Sequence, residues 1–448
     1  MLTESQACER VRDIVDRARV AGADASDAVM ASDRSLSVSM RMGNLEDVER
    51  SESEELGLRV FVGRRSASVS TSDLSSGSLD ALVERAIAMA REAPEDKWAG
   101  LAPQERLMHG SPPLLDLDDG AHDDPQTLKA RALAAEDAAR AVAGVTNSEG
   151  GSAGASRSVM AIATSHGFTG AYAQTSHGVS ASVLAGAGGA MERDHAHHSA
   201  RHAVMLESPE AIGRLAGERA VARLNPAKVP SGAMPVVFDR RVSAGLVGHL
   251  LGAIGGAAIT RKTSFLLDCL GKQVFAKSVT ICDDPHRPRG LRSRPFDGEG
   301  LPVLPMKLID AGMLETWLLD SASARQLGLE PTGHAARGGA GAPGVAPSNL
   351  YMQPGNTPPE TLVGEIDRGI LVTELIGQGV NGVTGDYSRG AAGFLIEKGE
   401  ITRAVSEITI AGNLKDMFLA LTPANDLEFR YGINAPTLRI DGMTIAGE

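Results

Sequence analysis

Apolar positions recur at helical spacing near the N-terminus. Ala7, Val11, Ile14, Val15 and Ala18 share one face over residues 5–21, and Gly22 ends the run. The period then changes to two. Leu36, Val38 and Met40 alternate with polar residues, as do Leu56, Leu58, Val60 and Val62, and Gly63-Arg64-Arg65 reads as a turn into Ala67, Val69 and Thr71. A second helix is predicted over Leu79, Leu82, Val83, Ala86, Ile87 and Ala90, with Ser78 as its cap. Residues 1–95 thus read as a helix–strands–helix unit.

Residues 96–125, rich in Pro, Asp and Gly, read as a linker. A unit over 126–230 follows: an Ala-rich helix near 126–142, alternating residues over 145–205, and a helix from Pro209 to Leu224. Its order echoes residues 56–91, as a remote duplication would. Asn225-Pro226 and Pro230-Ser231-Gly232 mark the next boundary. Residues 231–448 carry many short strand candidates: Val236–Phe238, Gln273–Phe275, Met313–Trp317, and a hairpin from Phe394-Leu395-Ile396 through Glu397-Lys398-Gly399-Glu400 into Ile401. That spacing favours a closed or sandwiched β-rich domain. Strands come in runs, so the expected class is α+β, with helix/antiparallel-sheet units first and a β-rich C-terminal domain last.

Composition narrows the function. With 448 residues, about two to four domains are expected. Aromatics are only 3% and glycines number 51, so the core must be built from Ala, Val, Leu, Ile and Met. The net charge of −12, with no long run of Lys and Arg, offers no footprint for nucleic acid. Cys8, Cys269 and Cys282 are too few and too scattered for a disulfide framework, which fits a reducing compartment. The N-terminus reads as a charged amphipathic helix rather than a signal peptide, and no apolar run reaches about 18 residues. A cytoplasmic protein without a membrane span is expected.

Several motifs could carry chemistry. Gly150-Gly151-Ser152-Ala153-Gly154 fits the spacing of a nucleophile elbow, but no buried strand precedes it and no helix follows; a glycine-rich loop between helix and strand is the plainer reading. Gly339-Ala340-Gly341-Ala342-Pro343-Gly344 fits a dinucleotide fingerprint, yet Pro343 and Pro347 forbid the helix that phosphate binding needs, which leaves a flexible loop. His195, His197, His198 and His202, beside Glu192 and Asp194, form a dense histidine cluster. His195 and His197 would share a strand face and could offer two zinc ligands, though a third must come from elsewhere; exposed strand histidines are the alternative. No HExxH motif occurs, and His249 stands alone on an apolar helical stretch, where a structural role is usual.

Val247-Gly248-His249, Arg261-Lys262-Thr263-Ser264, the run Asn349–Gly355, the run Gly393–Ile401 and Ser406-Glu407-Ile408-Thr409-Ile410-Ala411-Gly412-Asn413-Leu414 together resemble the C-terminal domain of the TldD/TldE pair. The last of these and the ending Pro436–Asp441 resemble the TldE/PmbA branch, whose proteins have been called modulators of DNA gyrase. The resemblance spans nearly the whole chain and is most specific over 235–448.

In the active TldD branch this helix carries HExxxH, and a distal Cys completes a zinc site. Carried over by position, the first His falls on Ala244, the Glu on Gly245 and the second His on His249, while the tail 425–436 holds no Cys. Side chains of Ala and Gly offer neither ligand atoms nor a proton-transfer group. The resemblance therefore implies a metal-free, non-catalytic subunit, inactive alone and with no cofactor of its own. Zinc would reside in a TldD-like partner subunit, and the pair would act on small unfolded peptides such as a peptide-antibiotic precursor or an antitoxin. Any gyrase link would be indirect, through gyrase-targeting peptides. A homodimer of the isolated subunit is compatible with the fold the branches share. Binding groups are sought in the loop from Gly333 to Ser348 and in Asp386–Gly390; Asn349, Tyr387, Ser388 and Arg389 are the residues expected to face peptide or partner, against a merely connecting role. Arg389 could meet a peptide carboxylate or pair with Asp386, and Arg261 and Lys262 could be solvated charge. Two other readings stand beside this one: a self-sufficient metallohydrolase using His195 and His197, and a non-proteolytic interaction protein.

Overall fold

A computed structural model describes residues 1–121 and 124–447. Alternation and helical spacing fold the first half as α1 (Glu4–Val20), β1 (Ala25–Arg41), β2 (Asn44–Val62), β3 (Arg65–Thr71) and α2 (Ser76–Glu92), then α3 (Pro125–Arg140), β4 (Val145–Thr164), β5 (Thr169–Ala185), β6 (Glu192–Ala200) and α4 (Pro209–Ala222). Helix–three strands–helix occurs twice. The six strands form one sheet in the order β3-β2-β1-β4-β5-β6, joined at its centre by the antiparallel pair β1–β4. Side chains on a strand point alternately to the two faces. Ala28 and Met30 accordingly pack under α1 and α2, and Val38 and Met40 under α3, whereas Val29 faces the other way onto Phe296 of the second half. Ser75, not Ser78, is the N-cap of α2; Ser78 lies within its first turn, where its hydroxyl donates to Asp73.

The described part of 96–125 carries one helical turn, Gln104–Arg106, and is fastened down. Arg325 donates to the carbonyls of Trp98, Gly100 and Leu101, and Leu101, Ala102 and Leu107 are buried.

The second half runs β7 (Gly232–Phe238), α5 (Arg240–Ile254), α6 (Gly256–Thr260), β8 (Ile281–Asp284), β9 (Met306–Asp310), β10 (Met313–Leu314), α7 (Ser321–Leu327), β11 (Ala335–Ala336), β12 (Gly344–Val345) and β13 (Asn349–Met352). It ends with α8 (Pro359–Gly364), β14 (Arg368–Ile376), β15 (Asp386–Glu397), β16 (Glu400–Asn413), α9 (Leu414–Leu419), β17 (Leu421–Pro423), β18 (Ile433–Asn434) and β19 (Leu438–Ala446). Strand order β16-β15-β14-β7-β19 is closed by pairing of β16 with β19, so five strands make a ring around the largest core, as the strand spacing suggested. The hairpin at Lys398-Gly399 has positive φ at both turn residues (53° and 82°), the two-residue turn whose twist suits a hairpin. Two strand expectations shrink. Gln273–Phe275 makes only a single bridge, Gln273 to Met313, and of Met313–Trp317 only the first two residues are strand. The class is α+β.

Candidate functional site

Both candidate glycine motifs are structural. Gly150–Gly154 lies inside β4, neither in an elbow nor in a loop. The small residues admit α3: a Cβ on Gly151 would sit 2.2 Å from the Ala132 carbonyl oxygen. Beside it, buried Glu136 of α3 accepts from the N–H groups of Met42 (2.7 Å) and Gly43 (3.0 Å) and from the Ser148 hydroxyl (2.6 Å). The loop Gly333–Ser348 is anchored rather than loose. Buried Arg337 and Arg59 both grip Asp27, and β2 crosses the loop so closely that a Cβ on Gly57 would lie 2.6 Å from the Ala340 Cα.

The histidine cluster is divided by the fold. His198 accepts from the Glu207 N–H, and His202 Nε2 lies 3.0 Å from the Asp116 carbonyl oxygen. Only His195 and His197 stay together, their rings parallel with centroids 6.0 Å apart. Among the described residues no group of three His, Cys, Asp or Glu is placed to hold a metal ion. Burial depresses the basicity of His197, helped by the positive charge of His195, Arg430 and Arg219 around it.

Those two histidines line a cavity of about 640 Å³ at the seam between the six-stranded sheet and the second half. Ala244 and Gly245 of α5 line the same cavity, as do Thr373, Glu374 and Leu375 of β14, Arg389 of β15, and Tyr431, Gly432 and Ile433 of the tail. The fold therefore gathers three segments that the sequence singled out separately: Ala244 and Gly245 of α5, the histidine strand and the tail. His249 is not in the lining; its ring stands edge-on to Tyr387, 5.8 Å away, and burial and nearby Arg389 lower its basicity.

Positive charge dominates this cavity. Arg219, Arg223, Arg241, Arg292 and Arg389 line it against two carboxylates, Asp194 and Glu374. Buried Asp194 is held by Arg241 at 3.0 Å, with Arg223 3.7 Å away. Arg223 also pairs with Glu374 (2.5 Å) and Glu192 (3.3 Å). Arg219 donates to the His195 carbonyl (3.1 Å), and burial, then the charge of Arg241, lowers its pKa.

Zinc does not fit this donor set. Asp194 and Glu374 are engaged by arginine, Ala244 and Gly245 carry no ligand atoms, His249 lies outside the lining, and five guanidinium groups would oppose a cation. None of the three cysteines lines the cavity.

Of the four residues expected to face peptide or partner, only Arg389 reaches the cavity. Tyr387, on the same side of β15 as Arg389, is buried against the His249 ring, and that burial pushes its pKa up to about 12, while Ser388 points to the opposite face and is exposed. Asn349 is also buried; it accepts from the Arg292 N–H and donates to the Asp284 carbonyl and Ser293 hydroxyl, so its role is to hold the loop bearing Arg292. Asp386 accepts from Thr384 and Asn413, and Arg389 does not pair with it. Arg219, Arg223, Arg241 and Arg292 escaped the sequence reading, and no motif marks them.

Comparison with known proteins assigns the class, a metallopeptidase scaffold. Three family models match in succession: PmbA/TldA metallopeptidase domain 1 over residues 27–90, the central domain over 118–224 and the C-terminal domain over 231–447. The metalloprotease PmbA of Escherichia coli O157:H7 is 42% identical over 427 residues, covering 95% of this chain and 93% of that protein. A crystal structure from Bacteroides thetaiotaomicron, described as a modulator of DNA gyrase, superposes with a TM-score of 0.91 at 28% identity over all of both chains. TldE from Thermococcus kodakarensis shares the fold, with a TM-score of 0.86 at 21% identity, covering 97% of this chain and 99% of that one. The chain belongs to the PmbA/TldD metallopeptidase family.

Proposed function

We propose that this chain is the metal-free, non-catalytic subunit of a two-subunit peptidase of the TldD/TldE type. One observation supports the reading: Ala244 and Gly245, which by the resemblance stand where the active branch carries the first His and the Glu of HExxxH, open into an arginine-lined cavity instead of a ligand set. Neither a metal-bound hydroxide nor a carboxylate base can be assembled from alanine and glycine. A TldD-like partner would supply zinc and the general base. This chain would wall the chamber and help retain small unfolded peptides, in the cytoplasm. The gyrase connection in the description of the Bacteroides relative is then indirect, through peptides that target gyrase; the net charge of −12 gives no support to direct DNA binding. The test is cleavage of an unfolded peptide by this chain alone, by its TldD-like partner alone and by the mixture. Cleavage in the mixture that requires the partner's HExxxH is the expected outcome, and cleavage by this chain alone contradicts the proposal.

A further inference from the structure

Within the arginine cavity the charges are not all matched. Arg223 and Arg241 are neutralised by Asp194, Glu374 and Glu192. Arg292 and Arg389 make no side-chain hydrogen bond or ion pair among the described residues, and the Arg389 Nε is buried without any partner. Thr373 supplies a second, independent sign. It sits at a bulge in β14, where pairing with β15 skips from Val372 to Glu374. A bulge re-aims a side chain. Thr373 is only 7% exposed, lines the cavity and leaves its hydroxyl unpartnered. Buried donors without acceptors are costly, and a fold that keeps two of them, the Arg389 Nε and the Thr373 hydroxyl, beside the exposed Arg292 around one cavity is arranged for an acceptor that arrives from outside.

We infer that this cavity binds the carboxylate of a short peptide, held by the forks of Arg389 and Arg292 and by the Thr373 hydroxyl. Planar guanidinium groups match the two oxygens of a carboxylate. Val242, Leu375 and Ile433 give the same cavity an apolar wall, and its 640 Å³ lies within the roughly 300–1,000 Å³ of ligand sites, so it suits the end of a chain rather than a bare ion. The carboxylate could be the peptide's C-terminus or an Asp or Glu side chain; both present the same two oxygens. The inference rests on the reading above only in taking the ligand to be a peptide. The assay uses this chain without its partner, so failure here leaves the two-subunit proposal standing, and the reverse.

The test is titration calorimetry of the full chain with tetra-alanine, its C-terminal amide, and an amidated tetrapeptide with one Glu. Tetra-alanine should bind and its amide should bind about tenfold more weakly or worse, as loss of a charged hydrogen bond implies. Glu-containing amide that binds like the free acid also supports the site and assigns the side chain as source. Arg389→Gln and Arg292→Gln should each weaken binding about tenfold, with Arg389→Lys intermediate; Arg403→Gln, on the exposed edge of β16, should not change it. Melting curves confirm that each variant folds, and Thr373→Val gives a neutral variant that should bind several-fold more weakly. Equal binding of acid and amide, no binding of any peptide, or binding indifferent to Arg389→Gln and Arg292→Gln overturns the inference. So does inorganic phosphate bound more tightly than tetra-alanine.

Discussion

Arg241 at the start of α5 and Asp194 on β6 face each other across the seam of the molecule, Nη1 to Oδ1 at 3.0 Å and Nη2 to Oδ2 at 3.3 Å. This pair ties the helix bearing Ala244 and Gly245 to the histidine strand, and it defines one wall of the cavity. Asp194 is 4% exposed, so removing its charge leaves Arg241 without its anion in a poorly solvated place. Asp194→Asn should therefore cost about 3–5 kcal/mol in urea unfolding. A loss below about 1 kcal/mol would show that the seam is not held by this pair.

Gly151 and Ser152 separate packing from catalysis. A methyl on Gly151 collides with the backbone of α3, so Gly151→Ala should destabilise by more than about 2 kcal/mol, the range of overpacked or shifted cores. Ser152→Ala should leave both stability and the activity of the two-subunit mixture unchanged. Loss of activity in Ser152→Ala would restore the nucleophile reading of this motif.

Gly252 of α5 is exposed, and an added Cβ would meet nothing within 4 Å. Glycine within a helix costs about 0.5–1 kcal/mol relative to alanine. Gly252→Ala should raise stability by about that amount without altering peptide binding, measured by denaturant midpoint at constant slope.

Stability should also carry a pH signature from Asp297. Burial, and then the negative charge of Glu299, raise its pKa to about 7, although its carboxylate accepts from the N–H groups of Leu301 and Glu299. A carboxyl raised in the folded state binds its proton more tightly there than in the unfolded chain. Its stabilising contribution is complete below about pH 4 and is lost as pH climbs to about 7. The stability difference between the natural chain and Asp297→Asn should thus shrink over that window, by up to about 4 kcal/mol. A difference independent of pH between 4 and 7 contradicts this assignment.

Much of the architecture is legible along the chain because period and burial agree. The alternation at Leu56, Leu58 and Val60 and the helical spacing at Ala7, Val11 and Ile14 each mark one buried face, and both appear where expected. Irregular segments were harder. Gln273–Phe275 has the composition of a strand, yet Val274 and Phe275 are buried by packing into the barrel core, not by strand pairing. Gly150–Gly154 looks like a loop because strand residues are seldom so small; the close approach of α3 is the reason, and it is visible only in three dimensions. The α5 positions could be located through their resemblance to an active branch. Four of the five arginines could not. Arg219, Arg223, Arg241 and Arg292 are spread over two helices and a loop, each an ordinary surface-type residue in its own neighbourhood, and only the fold brings them together with Arg389.

A cavity bordered by Ala244, Gly245 and five arginines should hold no zinc. The most direct measurement is the metal content of the chain purified without its partner, after dialysis against zinc and removal of the excess. Zinc well below one per chain, unchanged by His195→Ala with His197→Ala, is the expected result. Close to one zinc per chain, lost in that double variant, would contradict it and make this protein a metallohydrolase in its own right.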